Sequence, residues 1–236
     1  MLTRFRTFRL LMVVTILLVT VLPVGRTLLA SANVDMVLVI ALDVSASVDD
    51  EEFQHMREGL ARAIVAPEVI AAVGSGHIGA IAVSVVQWSG FTEQDIKIKW
   101  TRLALPGHHL QIARKIRNMK RRYNDGATDL GGAITHASKL LLGAPYQTPR
   151  RVVDIAGDGT NNVNESPQYA RGKAVSSGVV INALAINSTP GGLINYYRNF
   201  VIGGAGSFVE NASDYYGFEE AMRRKLVREI GSPLLF

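Results

Sequence analysis

The fold is decided by residues 36–47, which read MVLVIALDVSAS. The first seven of these residues are apolar without alternation, which is typical of a strand buried on both faces of a parallel sheet. One carboxylate and two hydroxyl groups then follow at Asp43, Ser45 and Ser47. A buried strand that ends in oxygen-bearing side chains predicts an α/β sheet with a polar site beyond its carboxyl edge.

Apolar and amphipathic segments alternate through the rest of the chain. Their periodicity and the turn residues between them predict further strands at 78–88, 95–103, 151–156, 179–186 and 207–209. The same signals predict helices at 49–64, 110–123, 130–142, 168–176 and 214–230. We expect a three-layer, doubly wound α/β fold with a mostly parallel six-stranded sheet in the order 3-2-1-4-5-6 and helices on both faces. Residues 95–103, in which apolar side chains alternate with lysines, would form one antiparallel edge strand.

Two later segments carry oxygen donors at comparable positions. Thr128 precedes a glycine-rich helix start, and Asp158 follows another apolar strand. In a sheet of this order, the carboxyl ends of the first and fourth strands lie on either side of the reversal in strand order, so distant residues can meet there. Hydroxyl and carboxylate oxygens suit Mg²⁺, which prefers octahedral oxygen coordination. We therefore predict a site for Mg²⁺, with Mn²⁺ or Ca²⁺ as alternatives, formed by Asp43, Ser45, Ser47, Thr128 and Asp158.

These residues resemble the metal-ion-dependent adhesion site (MIDAS) of von Willebrand factor type A (vWA) domains. Asp-x-Ser-x-Ser after a first strand, Thr-Asp before a glycine-rich helix and Asp-Gly after a later strand fill the positions of that motif one by one. Ala46 stands where glycine is frequent and Gly157 where threonine is frequent, but neither position supplies a ligand. The resemblance covers essentially the whole mature chain, and segments 196–204 and 223–226 are similar to a bacterial exported subgroup with no established activity.

The resemblance also implies how the donors would be used. Ser45, Ser47 and, in a ligand-bound form, Thr128 would contact the ion directly, whereas Asp43 and Asp158 would act largely through water. A dication among neutral hydroxyl groups stays electron-poor, so its open position favours a carboxylate from another molecule. We expect an exported, non-enzymatic protein-binding module whose unidentified partner supplies an Asp or a Glu.

Two other functions fit parts of the pattern. Residues 157–162, GDGTNN, resemble the Gly-Asp-Gly loop of haloacid-dehalogenase-type phosphatases, which bind Mg²⁺ and use an early-strand Asp as nucleophile. Those enzymes need a second acid two residues after the nucleophile, and this place is Ser45 here. Asn162 also stands where a further acid is expected. The remaining alternative is a structural domain in which the metal serves stability alone.

The start of the chain is typical of an export signal. Three arginines precede an apolar core at 10–22, and residues 30–32 match a small-residue cleavage signature. We predict a signal peptide at 1–32 and a vWA-like domain at 33–236, which would place the protein in the periplasm or outside the cell. An uncleaved inner-membrane anchor is the alternative, although this apolar core is shorter than the roughly 20 residues that span a bilayer.

Composition excludes several classes of function. The formal net charge is +5, but arginines of the predicted signal account for most of it, so the mature part is nearly neutral and no nucleic acid is expected as a partner. The chain has no cysteine, which excludes disulfides and thiolate zinc sites. No stable membrane span is expected once the signal is removed.

Other charged side chains are expected to have structural or solvated roles. Asp154 lies within a predicted strand and is interpreted as a buried, hydrogen-bonded acid rather than as a ligand. The histidine pair at 108–109 is predicted to lie on the surface. The basic residues within 115–122 and 223–228 are interpreted as solvated helix faces.

Overall fold

The computed structural model describes residues 32–186 and 192–231 of the 236-residue chain. The predicted signal peptide, apart from Ala32, lies outside these residues. The strands are β1 (Ala32–Asn33), β2 (Met36–Asp43), β3 (Ile81–Trp88), β4 (Gln94–Leu103), β5 (Tyr146–Gln147), β6 (Arg151–Gly157), β7 (Val179–Ile186) and β8 (Val209–Ala212).

Helices occupy most of the connections between the strands. They are α1 (Asp50–Ala63), α2 (Pro67–Gly74), α3 (Pro106–Arg117), α4 (Leu130–Leu142), α5 (Pro167–Ser176), α6 (Gly192–Tyr196) and α7 (Phe218–Gly231). A π-helical turn, Tyr197–Val201, follows α6 directly. In the part of the chain that the structure describes, no helix combines the length and apolar character that crossing a bilayer requires.

Six strands form the central sheet in the order β4-β3-β2-β6-β7-β8. β4 pairs antiparallel with β3 at one edge, and every other neighbouring pair is parallel. Counted within this sheet, with β2 as the first strand, the order is 3-2-1-4-5-6, so the predicted architecture is confirmed. β1 and β5 form a separate parallel pair that was not predicted, because strands of two residues carry no detectable periodicity.

β2 illustrates why helices cover both faces of the sheet. All eight of its residues are buried, and successive side chains point to opposite faces. Leu38 and Ile40 pack in an apolar cluster with residues of α1, α3 and α7. Val37 and Val39 pack in a second cluster with residues of α4 and α5. Burial on both faces therefore accounts for the uninterrupted apolar run in the sequence.

The start of α1 agrees with the sequence prediction. Asp49 Oδ1 accepts a hydrogen bond from the Glu52 N–H over 2.8 Å, and Glu52 Oε2 accepts one from the Asp49 N–H over 2.8 Å. This reciprocal pair satisfies two N–H groups that the first turn of a helix leaves without partners. The acids at the start of α1 therefore act as caps and fix the end of the loop that precedes the helix.

α3 is displaced toward the N-terminus relative to the prediction. It begins at Pro106, where the fixed φ of proline suits the first helical turn, and it ends at Arg117 instead of near residue 123. The segment after α3 is held by the buried side chain of Gln87, which donates to Lys120 O over 3.1 Å and accepts from the Arg122 N–H over 2.8 Å. A contact between distant residues therefore ends this helix.

The displacement of α3 also changes the environment of its histidines. His109 is buried, and its Nδ1 lies 2.8 Å from the carbonyl oxygen of Ile64. The prediction of a surface pair was wrong for this residue, because His109 shares the inward face of the helix with Ile112 and Ile116. Burial lowers the pKa of His109, which keeps the imidazole neutral.

Lys225 of α7 is fully buried rather than solvated. Its ammonium group lies 2.6 Å from Asp154 Oδ1 and 3.3 Å from Glu229 Oε1. Asp154 is buried as predicted, but its partner is this lysine, which had been interpreted as part of a solvated face. Lys225 and Glu229 are one helical turn apart, and both face the sheet, which places the ammonium group beside Asp154.

Candidate metal centre

The five side chains predicted to bind metal lie together at the carboxyl edge of the sheet. Asp43 ends β2 and is followed by Ser45 and Ser47, Asp158 follows β6, and Thr128 precedes α4. The Ser47 hydroxyl donates to Asp158 Oδ1 over 2.7 Å, and Ser45 Oγ lies 3.2 Å from Ser47 Oγ. Thr128 Oγ1 lies 3.4 Å from Ser45 Oγ. Oxygen atoms from three separate segments therefore converge, as expected for strands that meet where the strand order reverses.

Backbone hydrogen bonds hold the loop that carries the two serines. The Ser45 N–H donates to Asp43 Oδ1 over 2.8 Å, so the carboxylate and the loop fix each other. The Ala46 N–H donates to Gly126 O over 2.9 Å, which ties this loop to the segment that leads to Thr128. The positions of the serine hydroxyl groups are thus set by two neighbouring segments.

Arg121 also holds the loop that carries the two serines. Its guanidinium group donates to the carbonyl oxygens of Ser45, over 3.1 Å, and Val48, and it lies 3.0 Å from Asp50 Oδ1. The Arg121 side chain is only 11% exposed, so its assignment to a solvated helix face was wrong. The reason is that α3 ends at Arg117, and nothing in the sequence distinguishes Arg121 from the other basic residues of that run.

The loop after β6 holds Thr128. The Thr128 N–H donates to Asn162 Oδ1 over 2.9 Å, and the Asn162 N–H donates to Thr128 O over 3.1 Å. Asp129 then begins α4 by accepting from the Gly132 N–H over 2.8 Å, and it also accepts from the Asn164 side chain over 2.8 Å. These bonds fix Thr128 relative to the carboxyl end of β6. From the sequence, Asn162 was notable only because it stands where the phosphatase loop has an acid, and its contact with Thr128 was not predicted.

The environment of Asp43 suits a carboxylate that meets a cation. Asp43 is fully buried, and burial, together with the nearby Asp158 carboxylate, raises its pKa from 3.8 to about 7. Its Oδ2 has no hydrogen-bond partner among the described residues. A cation stabilises the ionised form of a buried carboxylate that burial and a second carboxylate disfavour. The residues present therefore fit a divalent ion that prefers oxygen.

Two buried tyrosine hydroxyl groups lie close to these carboxylates. Tyr197 is fully buried and Tyr215 is 8% exposed, and within the described residues neither hydroxyl has a hydrogen-bond partner of ordinary geometry. Burial, with added contributions from Asp43 and Asp158, raises the pKa of both hydroxyl groups, so both stay protonated. Neither tyrosine was predicted as a site residue. The only signal for Tyr197 was its place in segment 196–204, which resembles the exported subgroup.

The centre is rich in hydroxyl groups rather than in clustered acids or imidazoles. Across residues 32–186 and 192–231, no group of three or more His, Cys, Asp or Glu side chains could hold a metal ion. Hydroxyl groups and paired carboxylates are instead the donors gathered at the carboxyl edge. Such oxygen donors suit hard cations, and the hydroxyl groups among them add no negative charge.

The sequence profile of one protein family covers nearly all of the described chain. The family described as "Protein of unknown function (DUF1194)" matches residues 33–234, a range that includes every residue of the centre. The chain belongs to the DUF1194 family. Comparison with curated proteins gives no match.

Solved structures establish the fold of this DUF1194 chain. Proximal thread matrix protein 1 from the mussel byssus, solved with a zinc-occupied MIDAS motif, is similar with a TM-score of 0.63 and 19% identity over 85% of this chain and 48% of that chain. A von Willebrand factor type A protein from Catenulispora acidiphila has a TM-score of 0.60 and 15% identity, over 85% and 44%. BatB from Bacteroides thetaiotaomicron has a TM-score of 0.54 and 11% identity, over 83% and 98%. The DUF1194 chain therefore has the vWA fold.

The similarity to these solved structures covers part of their length and concerns the fold. The DUF1194 chain spans about half the length of the byssus protein, 49% in one crystal form, and 44% of the Catenulispora protein. At identities of 11–20% the shared property is the fold alone. The zinc ion in a MIDAS motif belongs to the byssus protein.

Proposed function

We propose that this DUF1194 chain is an exported, divalent-cation-dependent protein-binding module. Its metal centre consists of Asp43, Ser45, Ser47, Thr128 and Asp158, which would hold Mg²⁺, with Mn²⁺ or Ca²⁺ as other candidates. The carboxylate of an Asp or Glu from a partner protein would complete the coordination of the ion. No residue of the centre is assigned a catalytic role.

The convergence of hydroxyl groups and carboxylates carries this proposal. Ser47 and Asp158 are 111 positions apart in sequence, yet their side chains are joined by a hydrogen bond of 2.7 Å. Asp43 is buried beside a second carboxylate, which disfavours its ionised form in the metal-free protein. A neutral side chain would pack at this position at lower cost, so the presence of two carboxylates here supports a role in binding a cation.

The donors also favour an anionic partner group. A divalent ion held mainly by neutral hydroxyl groups keeps most of its positive charge and attracts a carboxylate. One oxygen of each acid is already engaged, since Asp43 Oδ1 accepts from the Ser45 N–H and Asp158 Oδ1 accepts from the Ser47 hydroxyl. The two acids therefore position the serine loop, while the serines supply donors without added charge.

Exposed aromatic side chains flank the centre and favour a protein as the partner. Phe91 is 64% exposed in the loop between β3 and β4, where Ser89 Oγ donates to Ala127 O over 3.2 Å beside the centre. Tyr216 is 72% exposed in the loop between β8 and α7, next to one of the buried tyrosines. Aromatic residues are enriched among the anchors of protein interfaces. Loops near the carboxyl edge therefore offer exposed aromatic side chains in addition to the cation site.

Export rests on residues 1–32, which lie outside the described part of the chain except for Ala32. Their basic start, apolar core and small-residue site favour a cleaved signal and a periplasmic or secreted protein. An inner-membrane anchor is the alternative. N-terminal sequencing of the protein recovered from cells should give a start near Asn33, whereas an intact Met1 in the membrane fraction would indicate the anchor.

Metal titration and partner capture test the proposed function together. The purified protein is titrated with Mg²⁺, Mn²⁺ and Ca²⁺ by isothermal calorimetry, and immobilised protein is exposed to envelope extract with Mg²⁺ or with EDTA. We expect one binding site for at least one ion and capture of a specific protein that EDTA abolishes. Phe91→Ala should weaken capture and leave metal binding unchanged, because Phe91 lies outside the oxygen network.

Matched variants separate this function from its alternatives. Asp158→Ala should lose metal binding and capture, whereas Glu68→Ala should keep both, because Glu68 is a half-exposed acid on α2 that pairs with Arg223 at 2.9 Å. Metal binding without EDTA-sensitive capture would indicate an ion that serves stability alone. Hydrolysis of an aryl phosphate that Asp43→Asn abolishes would indicate the phosphatase instead.

A further inference from the structure

Two buried oxygen atoms without partners border the same glycine. Asp43 Oδ2 and the Tyr197 hydroxyl are both inaccessible to solvent, and neither has a hydrogen-bond partner among the described residues. A β-carbon added to Gly157 would lie 2.8 Å from Asp43 Oδ2 and 2.9 Å from the Tyr197 hydroxyl oxygen. The two oxygen atoms therefore share the space that a side chain at position 157 would fill.

The ring of Tyr197 is held beside this space by buried packing and by the backbone. Tyr197 is fully buried in the apolar cluster on the α4 and α5 face of the sheet, together with Leu193 and Val201. It opens the π-helical turn, and its carbonyl oxygen accepts from the Ile202 N–H over 3.0 Å. A wide turn of this kind is rare and often marks a functional position. Backbone and packing together aim the hydroxyl at the end of β2.

The geometry points to Tyr197 as a positioning residue of the metal centre, whose hydroxyl donates to Asp43 Oδ2 in the metal-bound form. The inference rests on the proposed function, because Asp43 matters here as a member of that centre. With Ser45 N–H on Oδ1 and Tyr197 on Oδ2, the carboxylate plane would be fixed from both sides. Gly157, one of the two departures from the commonest MIDAS motif, is then required to leave room for the tyrosine.

A hydrogen-bond donor beside Asp43 Oδ2 is favoured on physical grounds. A hydroxyl group that donates to an ionised carboxylate forms a stronger bond than a neutral pair does, and two buried polar atoms left apart both stay unsatisfied. A tyrosine hydroxyl can donate and a carboxylate oxygen can accept, so these two atoms are chemically complementary. Groups that orient metal-binding side chains typically change metal affinity by about 10- to 100-fold when removed.

Tyr197→Phe tests the inference, because it removes only the hydroxyl group and keeps the buried ring. We expect Mn²⁺ affinity, measured by isothermal calorimetry on the purified protein, to fall by about tenfold or more. The melting temperature of the metal-free protein should change little, since no hydrogen bond of the metal-free form is lost. Tyr169→Phe is the matched control, because Tyr169 is exposed on α5 and should leave affinity unchanged.

A rescue experiment distinguishes positioning from packing. In the wild-type background, Gly157→Thr places a β-carbon against the Tyr197 hydroxyl and should reduce Mn²⁺ affinity. In the Tyr197→Phe background, the same threonine no longer meets the tyrosine hydroxyl, although its β-carbon still lies 2.8 Å from Asp43 Oδ2. It brings a new hydroxyl group beside Asp43, so the affinity of the double variant should exceed that of Tyr197→Phe alone. Recovery in the double variant would show that a hydroxyl group is needed at this place. If Tyr197 served packing alone, the added threonine would not restore affinity.

The outcomes keep this inference apart from the proposed function. Wild-type affinity in Tyr197→Phe would overturn the role of Tyr197, while loss of binding in Asp158→Ala would still support the metal centre. An equal loss of melting temperature and affinity in Tyr197→Phe, without rescue by Gly157→Thr, would show that Tyr197 serves packing only and would also overturn the inference. Absence of Mn²⁺ binding in the wild-type protein would remove both claims.

Discussion

At Asp43, burial and a neighbouring carboxylate act in the same direction. Both disfavour the charged form and raise the pKa from 3.8 to about 7, against the opposing hydrogen bond of Ser45 and the charge of Arg121. The folded, metal-free protein therefore keeps a proton on Asp43 in a pH range where the unfolded chain has released it. A bound cation would take the place of this proton, since ligands must be deprotonated for metal to bind.

The stability of the metal-free protein should depend on pH. Because the folded-state pKa of Asp43 is raised, the folded state binds more protons than the unfolded state between about pH 4 and pH 7, and the free energy of unfolding should fall as pH rises through this window. The slope from one group is at most about 1.4 kcal/mol per pH unit. Urea unfolding in EDTA at several pH values measures it.

Asp43→Asn is the control for this pH dependence. The amide does not titrate, so the decline of stability between pH 4 and pH 7 should become shallower. Asp154, whose pKa burial also raises to about 7, remains in both proteins and contributes equally. Identical slopes in the wild-type protein and the variant would contradict the prediction. Mn²⁺ affinity of the wild-type protein should rise with pH over the same window.

The convergence of the oxygen-bearing side chains could be predicted because each stands at a recognisable place in the sequence. Asp43 and Asp158 end apolar strands, and Thr128 precedes a glycine-rich helix start. Arg121 and Tyr197 could not be predicted in the same way. Their roles depend on contacts across the fold, with a distant loop and with a glycine, and local sequence carries no sign of such contacts.

At the scale of elements, α7 is fixed to the sheet by buried charges as well as by apolar packing. Lys225 contacts Asp154 of β6 at 2.6 Å, and the Asn182 side chain of β7 donates to Glu229 Oε1 over 2.7 Å. Lys225, Asp154 and Glu229 are all fully buried. Burying these groups is costly, and that cost is offset only while the charges remain paired. The cluster therefore defines one position of α7 against β6 and β7.

Lys225→Met should destabilise the protein strongly. The substitution keeps an unbranched side chain but leaves two buried carboxyl groups without their cation, and loss of one partner of a buried ion pair typically costs about 3–5 kcal/mol. Arg223→Met is the matched control, since Arg223 is half-exposed and pairs with Glu68, and exposed pairs contribute about 1 kcal/mol or less. Guanidinium unfolding of both variants measures the difference; equal midpoints would contradict the assignment.

The elements that were predicted well are those whose own residues determine them, whereas the others depend on distant contacts. β2, β3 and β7 are mostly apolar and almost entirely buried, so burial on both faces makes them recognisable in the sequence. The bounds of α3 and β8 were displaced, because their ends depend on distant contacts. Gln87 ends α3 through hydrogen bonds from β3, and β8 exists only through its pairing with β7. Local propensity could not reveal either contact.

At the scale of the whole molecule, metal binding should stabilise the fold. An ion that binds the folded state alone adds about 2.7 kcal/mol when its concentration is 100 times the dissociation constant. We expect the melting temperature to rise with added Mn²⁺ and to return with EDTA. Asp158→Ala should melt at the same temperature with and without Mn²⁺, and differential scanning calorimetry measures both proteins. A rise of similar size in the variant would indicate nonspecific ion effects.

The short β1–β5 pair lies at the end of the domain opposite the candidate metal centre. Ala32 pairs with Tyr146 at the amino edge of the parallel strands, and Arg150, at the same edge, donates to Glu229 O near the end of α7 over 2.6 Å. Asp43 lies at the far end of β2, whose eight residues span roughly 26 Å. A tether or sensor chip attached near Ala32 or Gly231 would thus hold the domain by its base and leave the opposite pole free for docking.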